Sequence, residues 1–109
     1  MFACFVNKAD CAHHEIFPGV HIYTTYAERM MISLVEFEPH AVVEEHSHPH
    51  EQVGYLLEGA ADFYIGDQHR RVGPGDIWRI PGGTPHRVVA LDQPVRAIDV
   101  FYPIRDDYK

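Results

Sequence analysis

Cysteine is nearly missing from this 109-residue chain: Cys4 and Cys11 are separated by six residues and have no neighbouring pair. That scarcity excludes a disulfide framework and a cysteine-built zinc knuckle, and it predicts two free thiols in a reducing cytoplasm. His13 and His14, next to Cys11, match no familiar ligand spacing and read as solvated. Basic residues are also few. Nine Lys and Arg against sixteen Asp and Glu give a formal charge of −7, a field that repels nucleic acid and anionic membranes, so neither is expected as a partner. No apolar run approaches the ~20 residues of a transmembrane helix, and Met1 to Lys8 lacks the basic start and apolar stretch of a secretory signal. Long helices are excluded over most of the chain, because after Pro39 no stretch free of both Gly and Pro exceeds nine residues.

What lies between the breakers is short and rich in β-branched and aromatic residues. Val20–Tyr26, Ala41–His46, Val53–Leu57, Ala61–Ile65, Ile77–Ile80, His86–Leu91 and Val95–Tyr102 read as strands. Tyr26 to Phe37 also fits a helical stripe, but a strand from Met30 after a turn at Ala27-Glu28-Arg29 leaves no gap in a sheet. Many short strands at even spacing predict an all-β fold, a barrel or sandwich, with one domain over residues 1–109.

Histidine is abundant: nine in all, with His40, His46, His48 and His50 inside eleven residues. His46 and His48 are two apart, so an extended strand would point both imidazoles to one face. Gln52 follows on the same parity, and His86 comes just after the turn Pro81-Gly82-Gly83-Thr84-Pro85. Three imidazoles and one oxygen donor suit a first-row divalent metal with coordination positions left open. His50 and Glu51 are alternatives to Gln52 in that set.

These residues resemble two motifs of the cupin family, whose members are small double-stranded β-helix barrels. His46, His48, Gln52 and Gly59 fit the first, and Gly75, Pro81, Gly83 and His86 fit the second. Gln52 stands where Glu is commoner, and Ala90 stands where many cupins have Asn. A neutral amide leaves a bound ion its whole +2 charge, which favours Lewis-acid chemistry on anionic oxygen ligands. The run His46-Ser47-His48-Pro49-His50-Glu51-Gln52, with the ending Asp99 to Tyr108, is similar to the pectin-degradation cupins of the KdgF type. That resemblance implies ring opening of 4,5-unsaturated uronates, released by pectin or alginate lyases, to the linear keto form.

Alternation along the last strand places Ala97, Asp99 and Phe101 on one face. Sequence alone leaves open whether that face lines the lumen or meets solvent. With the resemblance, the expected catalytic set is Asp99 as proton carrier, Arg105 as carboxylate binder and Phe101 shaping the sugar pocket. The expected cofactor is one divalent transition metal (Ni, Zn, Mn, Fe or Co), and the expected substrate a small anionic sugar acid. A homodimer is expected because small open barrels cover their edges by pairing. Trp78 and Tyr55 read as barrel wall, Arg79 as outward-facing. The rival functions are a metal-dependent dioxygenase and a noncatalytic cup for a small ligand.

Overall fold

A computed structural model describes residues 3–109. Ten strands form two antiparallel sheets: β1 (Ala12–Phe17), β2 (Val20–Tyr26), β3 (Met31–Phe37), β4 (Val42–His46), β5 (Glu51–Glu58), β6 (Ala61–Ile65), β7 (Gln68–Val72), β8 (Ile77–Ile80), β9 (His86–Ala90) and β10 (Val95–Tyr102). The six-stranded sheet runs β1-β2-β3-β10-β5-β8 and the four-stranded sheet β4-β9-β6-β7. Among the described residues there is no α-helix, only single 3-10 turns at Lys8–Asp10 and Asp106–Tyr108. No helix is long and apolar enough to cross a membrane. Cys4 and Cys11 are free.

The period-two pattern puts the core between the sheets. Ile22 of β2, Val35 of β3, Ala97 of β10 and Leu56 of β5 are buried from one side, and Ala61 and Phe63 of β6 and Val88 of β9 from the other. Each large aliphatic side chain so buried stabilises the fold by roughly 1.5–3 kcal/mol. The same alternation turns Ser33, Asp99 and Gln52 inward, because each shares parity with its strand's apolar residues.

The strands expected from the sequence are present with ends shifted by at most two residues, and Met31–Phe37 is a strand rather than a helix. Two strands were not among those expected, β1 having apolar side chains packed on the core only at its end, Ile16 and Phe17. β7 is exposed at all but Val72, and β1 begins Ala12-His13-His14-Glu15; both are held by their ladders to β6 and β2. Opposite Ile22 in that ladder, His14 is half-buried rather than solvated, with its Nε2 enclosed and without a partner among the described residues. Tyr55 faces outward and is exposed, whereas Trp78 is buried. Arg79 faces outward as expected.

Candidate metal centre

The putting-together of the site begins at the turn between β4 and β5. The strand ends at His46, and Ser47 to His50 turn the chain into the opposite sheet. His48 therefore lies beyond the strand, and Gln52 reaches the site from β5; a single extended run does not present all three. Pro49, which cannot donate to a ladder, sits in that turn. His86 opens β9 directly opposite His46. Gly83, at φ +80, donates its N–H to the His48 carbonyl at 2.8 Å, and a Cβ on Gly82 would run into the Pro49 carbonyl. The two motifs are thus locked together by backbone, with glycine required at both contacts.

The ligand atoms of His46, His48 and His86 all lie within 4.8 Å of one another. Each ring has its Nδ1 against a backbone carbonyl: His46 on Glu44 at 2.9 Å, His48 on His50 at 3.0 Å and His86 on Thr84 at 2.9 Å. A carbonyl only accepts, so all three Nδ1 atoms carry the proton and all three Nε2 atoms keep a lone pair. His48 Nε2 also sits 3.0 Å from Gln52 Oε1. That places two acceptors face to face, and protonating the ring is disfavoured, since burial, then Arg105 and His86, hold the His48 pKa down to about 4. Burial likewise lowers the His86 pKa. A cation resolves the conflict between those acceptors, and neutral imidazoles are its proper ligands. These residues therefore fit a divalent metal, with Gln52 as oxygen donor. His50 supplies its carbonyl to His48 and Glu51 faces outward, so neither joins the cluster.

Beside the imidazoles, a cavity of about 60 Å³ is lined by His46, Gln52, His86, Asp99, Phe101 and Arg105 among others. Asp99 lies on the inner face of β10. Although the cavity reaches part of its surface, protein surrounds the carboxyl, and this burial pushes its pKa up to about 6 against the Gln52 amide, the Trp78 indole and Arg105, which favour the charged form. Trp78 Nε1 donates to Asp99 Oδ1 at 2.8 Å. The bond passes over Gly54, where any Cβ would collide with both groups. Sequence reasoning placed Trp78 in the wall; the available signal was the glycine inside an otherwise bulky strand, a mark of close approach.

Arg105 is only 7% exposed, so it is not a solvated tail charge. Its guanidinium forms a fork on Asp107, at 3.3 and 2.9 Å, and lies 3.7 Å from the Tyr108 ring centroid. Phe101 packs edge-on to His48, ring centroids 5.7 Å apart, and to Tyr108 at 5.8 Å. The side chains expected from sequence thus converge around one cavity, and Trp78 and Tyr108 join them.

Comparison with known proteins agrees with this geometry. A cupin domain model matches residues 33–101. The solved structure of KdgF from Halomonas sp. superposes with a TM-score of 0.87 and 31% identity, covering 97% of this chain and 98% of that one. Oxalate decarboxylase OxdC of Bacillus subtilis is 33% identical over 72 residues, 62% of this chain and 19% of the relative. Dimethylsulfoniopropionate lyase DddQ of Ruegeria pomeroyi is 41% identical over 54 residues, 49% of this chain and 27% of the relative. The chain thus matches only a fifth to a quarter of these two relatives' lengths. With its two sheets, its three-histidine cluster and a family match over more than half its length, the chain belongs to the cupin family as a metal-binding member.

Proposed function

We propose that this protein converts 4,5-unsaturated uronate monosaccharides to their linear keto form. The observation that carries the reading is the convergence on one cavity of a metal-ligand set, an inward-facing carboxyl and a buried guanidinium, in Asp99 and Arg105. The end-to-end similarity to KdgF supports it. His46, His48, Gln52 and His86 would hold a divalent ion, whose +2 charge would attract the substrate carboxylate and offset negative charge on the neighbouring ring oxygen.

The chain's own groups account for the proton. Asp99 takes it from the hemiacetal hydroxyl as the bond between C1 and the ring oxygen breaks, which leaves an aldehyde at C1 and an enolate across C4 and C5. The same carboxyl returns that proton to C4, and the enolate becomes a ketone at C5. The reaction is an isomerisation, with no oxidant and no net proton. Arg105, held through Nε and Nη2 by Asp107, offers its remaining Nη1–Nη2 edge to the carboxylate, and Phe101 fixes the His48 ring while walling the sugar pocket. We also propose that two copies pair through the outer face of the six-stranded sheet.

The test mixes pure protein with lyase-made unsaturated monouronate and follows loss of ultraviolet absorbance from the conjugated double bond. Turnover above the spontaneous rate, lost on metal removal and independent of dioxygen, is expected. Asp99→Asn should abolish it with metal content unchanged; a fully active, metal-loaded variant overturns the assignment. Oxygen consumption would identify a dioxygenase instead.

A further inference from the structure

One transverse row of the six-stranded sheet carries four polar side chains on its inner face. Thr24 of β2 is opposite Ser33 of β3, Ser33 opposite Asp99 of β10, Asp99 opposite Gly54 of β5, and Gly54 opposite Trp78 of β8. Three of the four polar side chains have a protein partner. Thr24 Oγ1 donates to the Tyr108 carbonyl, which ties down the C-terminal turn, and Trp78 donates to Asp99. Ser33 alone has none: the residue is 1% exposed, and its Oγ is buried without a hydrogen-bond partner among the described residues.

A buried, unpaired hydroxyl is a cost that an alanine at this position would not carry. Ser33 is aimed into the same cavity as Asp99, Gln52 and His86, and as a direct cross-strand neighbour its Cβ lies about 4.5–5.5 Å from that of Asp99. At that separation one ligand hydroxyl can sit between them, donating its proton to the carboxylate while accepting from Ser33 Oγ–H. The cavity volume of about 60 Å³ has room for one such polar end of a ligand.

We infer that Ser33 is a substrate-binding residue which, paired with Asp99, clamps the ligand hydroxyl that gives up its proton. Resting on the uronate reading, this names the hydroxyl: the one on C1, a single carbon from the ring oxygen that faces the metal ligands. Ser33 orients that hydroxyl toward Asp99 and makes a hydroxyl there a requirement of the substrate, because an analogue without it leaves two buried polar groups unpaired.

The test is Ser33→Ala, read in three ways. The variant should keep its metal and keep or raise its Tm, since a hydroxyl without a protein partner is removed. Its kcat/KM on unsaturated monouronate should fall at least tenfold, with KM raised. A Tm loss of several degrees would assign the hydroxyl to the fold and overturn the inference, as would wild-type kcat/KM. If the unsubstituted protein does not turn over the uronate, the uronate reading fails by itself. The clamp is then judged by titration calorimetry with D-galacturonate: at least tenfold weaker binding to the Ser33→Ala variant supports it, while equal affinity, or no binding to the unsubstituted protein, overturns it.

Discussion

Gly54 is where a missing side chain shapes the site. The space above its Cα is the space through which Trp78 reaches Asp99. A hydrogen bond to a charged group is worth about 1.5–3 kcal/mol, or roughly one to two powers of ten in rate if it holds the carboxyl in its working orientation. Trp78→Phe, which removes the donor and keeps the apolar ring, should therefore lower kcat by about ten- to a hundredfold with metal content unchanged. Gly54→Ala should do at least as much; steady-state kinetics beside metal analysis checks both. Arg105 makes a second residue-level case. Lysine would keep the charge but lose both the fork and the stacking on Tyr108, so Arg105→Lys should raise KM for a uronate at least tenfold and change kcat less. Arg105 as a carboxylate binder was an expectation of the family resemblance, whereas its stacking on Tyr108 and the Trp78 contact were not legible: alternation showed that Asp99 could face inward, but not which groups would meet it across the sheet.

At the scale of elements, the strands that pack a core could be read and the strands that only pair could not. β2, β6, β8 and β10 stand out in sequence because apolar residues alternate or cluster there. β7, Gln68-His69-Arg70-Arg71-Val72, offers no hydrophobic period, and backbone pairing with β6 makes it a strand. The structure brings His46, His48 and His86 together with Gln52 beside them, but not from the one extended run that the spacing suggests. They come from the β4 end, the turn after it, β5 and β9, and so belong to both sheets. An ion held there clips the sheets together and binds only the folded chain. A ligand at a hundred times its Kd stabilises by ~2.7 kcal/mol, and a kcal/mol moves Tm by roughly 4–8 °C in a domain near this size. Chelation should thus lower the melting temperature by about 10–20 °C, and re-adding the metal should restore it. Calorimetry with verified metal removal checks this; an unmoved Tm would place the clip elsewhere.

For the whole molecule, a formal charge of −7 opposes an anionic substrate unless the field is reversed locally, and buried Arg105 with a bound cation at the three-histidine cluster does so at one place. The middle of the outer face of the six-stranded sheet is, by contrast, apolar. Across the strands, Leu34, Ile98, Tyr55 and Ile77 form one row, and Ile32, Val100 and Val53 the next, which ends on the outward Arg79. Ile32, Val53, Tyr55, Leu57 and Ile77 are exposed, Ile77 to 69%. Contiguous apolar rows of this kind are rare on monomers. A second copy is the occupant that fits, because a two-fold axis sets an apolar face against itself and needs no opposite charge from a chain that is acidic overall. Sedimentation equilibrium should give twice the 12.5 kDa chain mass. Tyr55→Glu, at the centre of the first row and away from the cavity, should shift the protein to monomer while metal content holds. Dimers that persist in this variant would move the interface off this face, and a monomeric unsubstituted protein would remove the dimer altogether.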